Sequence, residues 1–171
     1  MKEISIKDFG QEYNFMNFHD DWAALVADDG SRINSLTVSW GSIGYLWNLP
    51  TFSAYIHDDR FSQHIFDNSD YYSVCIFDRR KYQKALSYLG TVSGRDEDKI
   101  KGCGLTLNKE EKAPYFLEAR YVLICKKTGD TDFVYERVKD DVEFKKYYKQ
   151  TGGVHRIFEG EIIKVLKNEN E

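Results

Sequence analysis

The stretch "NSLTVSWGSIGYLW", residues 34–47, decides how the chain is read. It is β-branched and aromatic enough to be a strand. One parity is small and polar: Ser35, Thr37, Ser39 and Gly41. The other carries Leu36, Val38 and Trp40. Alternation alone describes a half-buried strand with one wet face. Lys, Glu and Arg are absent from residues 33–57, however. A face that long without a charge reads as covered, by a ligand or by another chain. The expected element is one long strand over 35–47, bent at Gly41 and Gly44.

Working outward, "WAALVADDG" (22–30) reads as a short strand ending in an Asp-Asp-Gly turn. "TFSAYIH" (51–57) alternates Phe52, Ala54 and Ile56 against Ser53, Tyr55 and His57. Residues 58–69 switch to helical spacing. A strand follows over 71–77, then a helix over 78–90 with Asp78 as N-cap and Gly90 as its stop. Residues 94–102 are turn-like, with one helical turn. Residues 119–129 are apolar on both parities, which predicts a central, doubly covered strand. Residues 131–138 are placed to pair back on it after a turn, 141–150 are helical, and 154–167 form a last strand. Six or seven strands do not alternate regularly with helices, which argues against a doubly wound sheet. A closed or split antiparallel barrel with peripheral helices fits best.

At 171 residues, with no low-complexity linker and two prolines, the chain reads as a single domain over 1–171, with residues 1–21 as an N-terminal wrap. A net charge of −4 gives no electrostatic support for a nucleic-acid or membrane-surface role. Cys75, Cys103 and Cys125 form neither a disulfide framework nor a CxxC metal site. Cys75 and Cys125 read as small buried hydrophobes. Cys103, between two glycines, admits a reactive thiol, but no neighbouring His or helix start lowers its pKa, which favours an inert one. No signal peptide and no membrane-length apolar run is visible, so a cytoplasmic, reduced protein is expected.

Three stretches carry candidate chemistry. The first is the hydroxyl face of 35–39, which could hold a polar heterocycle. The second is "TVSGRDEDK" (91–99), where Ser93, Gly94, Arg95 and Lys99 are groups a phosphate wants, although Asp96, Glu97 and Asp98 formally cancel the charge. The third is "HDDRFS" (57–62), where Arg60 opens a helix. Each has a bland alternative as solvated loop or helix cap. GxxxxGK[ST], GxGxxG, GxSxG and HExxH are absent, and the four histidines lack metal-ligand spacing.

Taken in order, these stretches with "APYFLEARYVLIC" and "HRIFEGEIIKVL" resemble the flavin reductase-like family, the flavoredoxin-type FMN-binding proteins. The resemblance spans about Trp22 to Leu166. It implies a mainly β, Greek-key-like split β-barrel with peripheral helices, forming a homodimer with FMN near the interface. It also implies that Asn34, Ser35, Leu36, Thr37, Ser39 and Trp40 line the flavin site through side chain or backbone. Trp40 belongs either to the core, with Leu36 and Val38, or to the flavin. Arg60 and Ser62 would reach the phosphate or ribityl chain, Ser93, Gly94, Arg95 and Lys99 its phosphate end, and His155 would approach from the last strand. The implied activity is an NAD(P)H-dependent flavin or acceptor oxidoreductase. The alternative is an electron-transfer FMN protein reduced by a protein partner, and an empty barrel-like binding domain is a third. Asp58 and Asp59 depart from the family pattern, since acids beside a phosphate are unfavourable unless they point away. Residues 127–150 are the least family-like.

Overall fold

The stretch 34–47 breaks in two. The computed structural model describes residues 1–139, 141–149 and 152–171. Its elements begin with β1 (Lys2–Ile4), α1 (Ile6–Glu12) and α2 (Phe18–Asp21). Then come β2 (Ala23–Asp28), β3 (Ile33–Val38), β4 (Gly41–Leu46), β5 (Leu49–His57), α3 (Phe61–Asp67) and β6 (Tyr71–Ile76). They continue with α4 (Arg79–Thr91), α5 (Lys99–Gly102), β7 (Leu107–Asn108), β8 (Tyr115–Phe116), β9 (Tyr121–Asp132), α6 (Asp141–Tyr148) and β10 (His155–Lys167).

The main sheet is antiparallel and runs β3-β2-β6-β9-β10-β5-β4, with β1 added on β10. β3 and β4 are therefore its two edges, although only Ser39 and Trp40 separate them in sequence. Three Cα steps span at most about 11 Å. Seven strands laid flat at about 4.8 Å spacing would hold their edges about 29 Å apart. The sheet must curl until its edges meet at Ser39 and Trp40. No ladder joins β3 to β4, so it stays open there. The break falls between two hairpins. β3 is satisfied by β2, with Val38 opposite Ala23, and β4 by β5, with Gly41 opposite Ala54. The chain turns at Ser39 and Trp40; β4 then runs through Gly44 unbroken.

The curl encloses one core. Leu25, Leu36, Val38, Phe52, Ile56, Val74, Leu123 and Phe158 come from strands along the whole path and pack together. A second core lies outside, where Val26, Cys75, Val122 and Ile124 meet Leu86 and Leu89 of α4. β9 is thus covered on both faces over its first half, as its apolar run predicts. Asp78 caps α4 by accepting from the Arg80 N–H, but the helix runs through Gly90 to Thr91. Residues 131–138 do not pair back on β9. β9 itself continues to Asp132, because β10 is long enough to pair it there, and a 3-10 turn follows over Tyr135–Arg137. The expected 141–150 helix is present as α6, Asp141–Tyr148; residue 150 lies outside the described residues.

All three thiols are buried. Burial raises the Cys75 thiol to about 11 and pushes Cys103 and Cys125 up as well. At the centre of the curl the Tyr72 hydroxyl donates to the Phe52 carbonyl of β5 at 2.6 Å and lies 3.3 Å from the Phe158 carbonyl of β10. Gly160 makes room for it: a Cβ there would sit 2.6 Å from that oxygen. Tyr72→Phe keeps the packing and strands the phenol's partners. It should cost about 1–2 kcal/mol, read as a lower urea midpoint with unchanged slope.

Candidate functional site

The turn that joins the sheet edges carries the site. Leu36 and Val38 enter the core, but the chain leaves its strand parity at Ser39, and Trp40 emerges 36% exposed. Its indole meets Tyr147 edge-on at 5.0 Å and the His155 ring at 5.1 Å. A cavity lies on each side of it. One, of about 280 Å³, is lined by Leu36, Thr37, Ser39, His57, Asp59, Arg60 and His155, among others. The other, of about 480 Å³, is lined by Phe15, Met16, Phe18, His19, Tyr55, Phe133 and Tyr148, and again by Ser39 and His155.

β5 and β10 bring two imidazoles together, since His57 and His155 are register partners with rings 5.2 Å apart. The Tyr148 oxygen of α6 lies 2.6 Å from His155 Nδ1, and its ring stacks on His57 at 5.8 Å. Burial, then the neighbouring His57, pushes the His155 imidazole down to about 4, so it is neutral at pH 7. Burial likewise raises the Tyr148 phenol. The two departing acids are both engaged. Asp58 accepts from the Val154 N–H at 3.1 Å and lies 3.3 Å from His57 Nδ1. Asp59 lies 2.9 Å from His57 Nδ1 and 3.8 Å from Arg60 Nε.

A second group gathers at the C-terminal end of α4, where backbone carbonyls lack helical partners. Arg60 Nη1 donates to the Gly90 carbonyl at 3.0 Å and Lys99 Nζ to that of Leu89 at 2.6 Å. Lys99 is 4% exposed. Burial, then the nearby Arg60 charge, lowers its ammonium to about 8. The loop 93–98 lies beside it. Ser93 Oγ accepts from the Arg95 N–H, and the guanidinium groups of Arg32 and Arg95 lie over the Phe61 ring. Asn34 donates to Ser62 Oγ at 2.9 Å, and both are buried.

Of the residues expected from sequence, Leu36, Thr37, Ser39, Trp40, Arg60 and His155 meet at one cavity. Asn34, Ser62, Ser93, Gly94, Arg95 and Lys99 line neither cavity, and Asn34, Ser62 and Lys99 are buried. The hydroxyl face is not covered as expected. Ser35, opposite Val26 and fully buried, faces the outer core, and Thr37 Oγ1 donates to the Leu86 carbonyl of α4. The chain itself thus covers the face at Ser35 and engages Thr37, while Thr37 and Ser39 still line a cavity. Tyr55, His57, Asp59 and Tyr148 were not anticipated. For Tyr55 and His57 the signal is their shared parity on the 51–57 strand. Among the described residues no group of three or more His, Cys, Asp or Glu is placed to hold a metal, and no helix is long and apolar enough to cross a membrane.

Gly94 fits where no side chain does. A Cβ there would lie 2.8 Å from the Phe61 ring and 2.9 Å from Asn34 Oδ1. Gly94→Ala should therefore displace the 93–98 loop and destabilise the fold by about 1–3 kcal/mol, measured by thermal melting.

The comparisons bear on what this site belongs to. The model of the flavin reductase like domain matches residues 18–171. No curated protein matches the chain. Among solved structures, flavoredoxin from Methanosarcina acetivorans has a TM-score of 0.67 at 21% identity, over 87% of this chain and 69% of that one. An FMN-binding protein from Thermus thermophilus has a TM-score of 0.66 at 17% identity, over 86% and 70%. An NADH:FAD oxidoreductase from Streptomyces globisporus C-1027 has a TM-score of 0.64 at 16% identity, over 99% and 89%. These likenesses speak for the fold, and the domain match covers nearly the whole sheet and both walls of the site: the chain belongs to the flavin reductase-like family.

Proposed function

We propose that the chain binds FMN at the turn between the sheet edges and works as a flavin-dependent oxidoreductase. The observation that carries this is the pairing of a half-exposed indole between two cavities with two cations at one side of them. The residues fit the cofactor. Lys99 and Arg60 repel one another while held on carbonyls, so an anion between them would be welcome. FMN, once bound, supplies the hydride and electron chemistry. The chain's own part is to hold the phosphate with Arg60, Lys99 and the 93–98 loop. The backbone N–H groups of 37–41 and the His155 imidazole offer hydrogen bonds to the ring system. The same reading makes the chain a cytoplasmic homodimer with the flavin near the interface. Its exposed edge strand β4, tipped by Tyr45 and Trp47, supports pairing.

The electron donor divides two readings. NAD(P)H is one. A protein donor is the other, and one feature favours it: the larger cavity has no Lys or Arg in its lining to meet a nucleotide pyrophosphate. Titration with FMN should give a visible flavin spectrum with perturbed bands. A protein that leaves the flavin spectrum unchanged does not bind it. Anaerobic bleaching by NADH or NADPH supports the reductase, and a flavin that stays oxidised with both leaves the protein-donor reading.

The phosphate assignment has its own test. Lys99→Ala or Arg60→Ala should weaken FMN binding by about 10–100-fold. In the free protein Lys99 is charged below about pH 8 and loses its proton above it. FMN affinity should thus be flat up to about pH 8 and fall beyond it, and Lys99→Ala should lose that fall.

A further inference from the structure

We infer that Tyr148 is a positioning residue, which fixes the His155 imidazole in one orientation and one tautomer, with the proton on Nε2. This rests on the flavin-site reading for its purpose, though not for its geometry.

The phenol oxygen lies 2.6 Å from Nδ1. Among the described residues the phenol has no other acceptor within reach, so its O–H donates to Nδ1. A neutral imidazole whose Nδ1 accepts must carry its proton on Nε2. That nitrogen hydrogen-bonds to no described residue and is not among the buried atoms left without a partner, so it is free toward the cavities that His155 lines. The groups around the ring agree. His57 lies beside it on β5, and Asp58, Asp59 and Arg60 lie on the turn after β5. Tyr148 comes from α6 and Trp40 from the edge turn, while the backbone of Phe133 on the β9 side donates to the His155 carbonyl. Asp58 and Asp59 both lie against His57 Nδ1, at 3.3 and 2.9 Å, and Asp58 also takes the Val154 N–H, so neither acid competes with Tyr148 for His155 Nδ1. The cavity floor therefore presents one N–H donor of fixed direction. Its complement is a carbonyl or other oxygen acceptor on a planar ring, as opposed to a cation or a second donor.

Tyr148 lies on α6, outside the sheet, so this donor is set by the helix and not by a strand. The pair also explains why Tyr148 packs as it does. Its ring is held by His57 at 5.8 Å and by Phe144 at 4.5 Å, which leaves the hydroxyl one direction.

The test is nitrogen NMR of the full chain labelled at histidine, without ligand. The wild type should show Nδ1 unprotonated and Nε2 protonated at His155, unchanged from pH 8 to pH 5.5. A proton on Nδ1 in the wild type overturns the inference whatever any variant does. Tyr148→Phe keeps both ring contacts and removes the donor. Its His155 signals should become a mixture of tautomers, and its titration should move up by about half a unit to one unit. A variant spectrum identical to the wild type also overturns it. FMN titration of the same samples is read separately. A chain that binds no FMN but shows the Nε2 tautomer fails the proposed function and keeps the positioning role, and the reverse result does the opposite.

Discussion

Two residues, Ser39 and Trp40, have to join the opposite edges of a seven-strand path. Everything else in the site follows from that constraint. The sheet has to curl, which makes an inside for Leu36, Val38 and Phe52. The link cannot itself be strand, so Trp40 is turned out of the core and its indole becomes a partition between two cavities. The curl also sets the N-terminal segment's Phe15 and Phe18 beside Tyr55 of β5 and His155 of β10 along one cavity wall. Without the short link, the same strands could lie in an open sheet with no concave face.

The second constraint is electrostatic. α4 ends where Leu89 and Gly90 offer carbonyls with no helical donor, and the negative end of the helix dipole lies there. Lys99 and Arg60 satisfy those carbonyls, but Lys99 meets no carboxylate among the described residues and is almost wholly buried. Keeping an ammonium in that place is costly, and a second cation close by adds to the cost. The helix end offsets only part of it. That residual cost is a physical reason for an anion to bind on this side of the sheet.

Much of this was legible in the residues. Parity on 51–57, the two-sided apolar run from Tyr121 and the Asp78 cap all reported local structure that local physics decides. The 35–47 stretch misled for a reason of the same kind. Alternation over Ser35 to Gly41 is equally good for one strand or two, and only the competing partners, Ala23 for Val38 and Ala54 for Gly41, choose between them. Its charge-free face did signal a cover, but composition cannot distinguish a ligand from helix α4. Order along the chain brought out Arg60, His155 and the 93–99 loop. Tyr148 had no such signal, because its meeting with His155 depends on how α6 returns toward β10, which no period or spacing encodes.

The buried thiols carry one further consequence. A sulfur reacts with peroxide or with another thiol as the thiolate and only where reagent can reach it. Cys75, Cys103 and Cys125 have raised pKa values and lie within packed cores, so their thiolate fraction at neutral pH is minute. Packing in the two cores therefore holds all three thiols away from that chemistry.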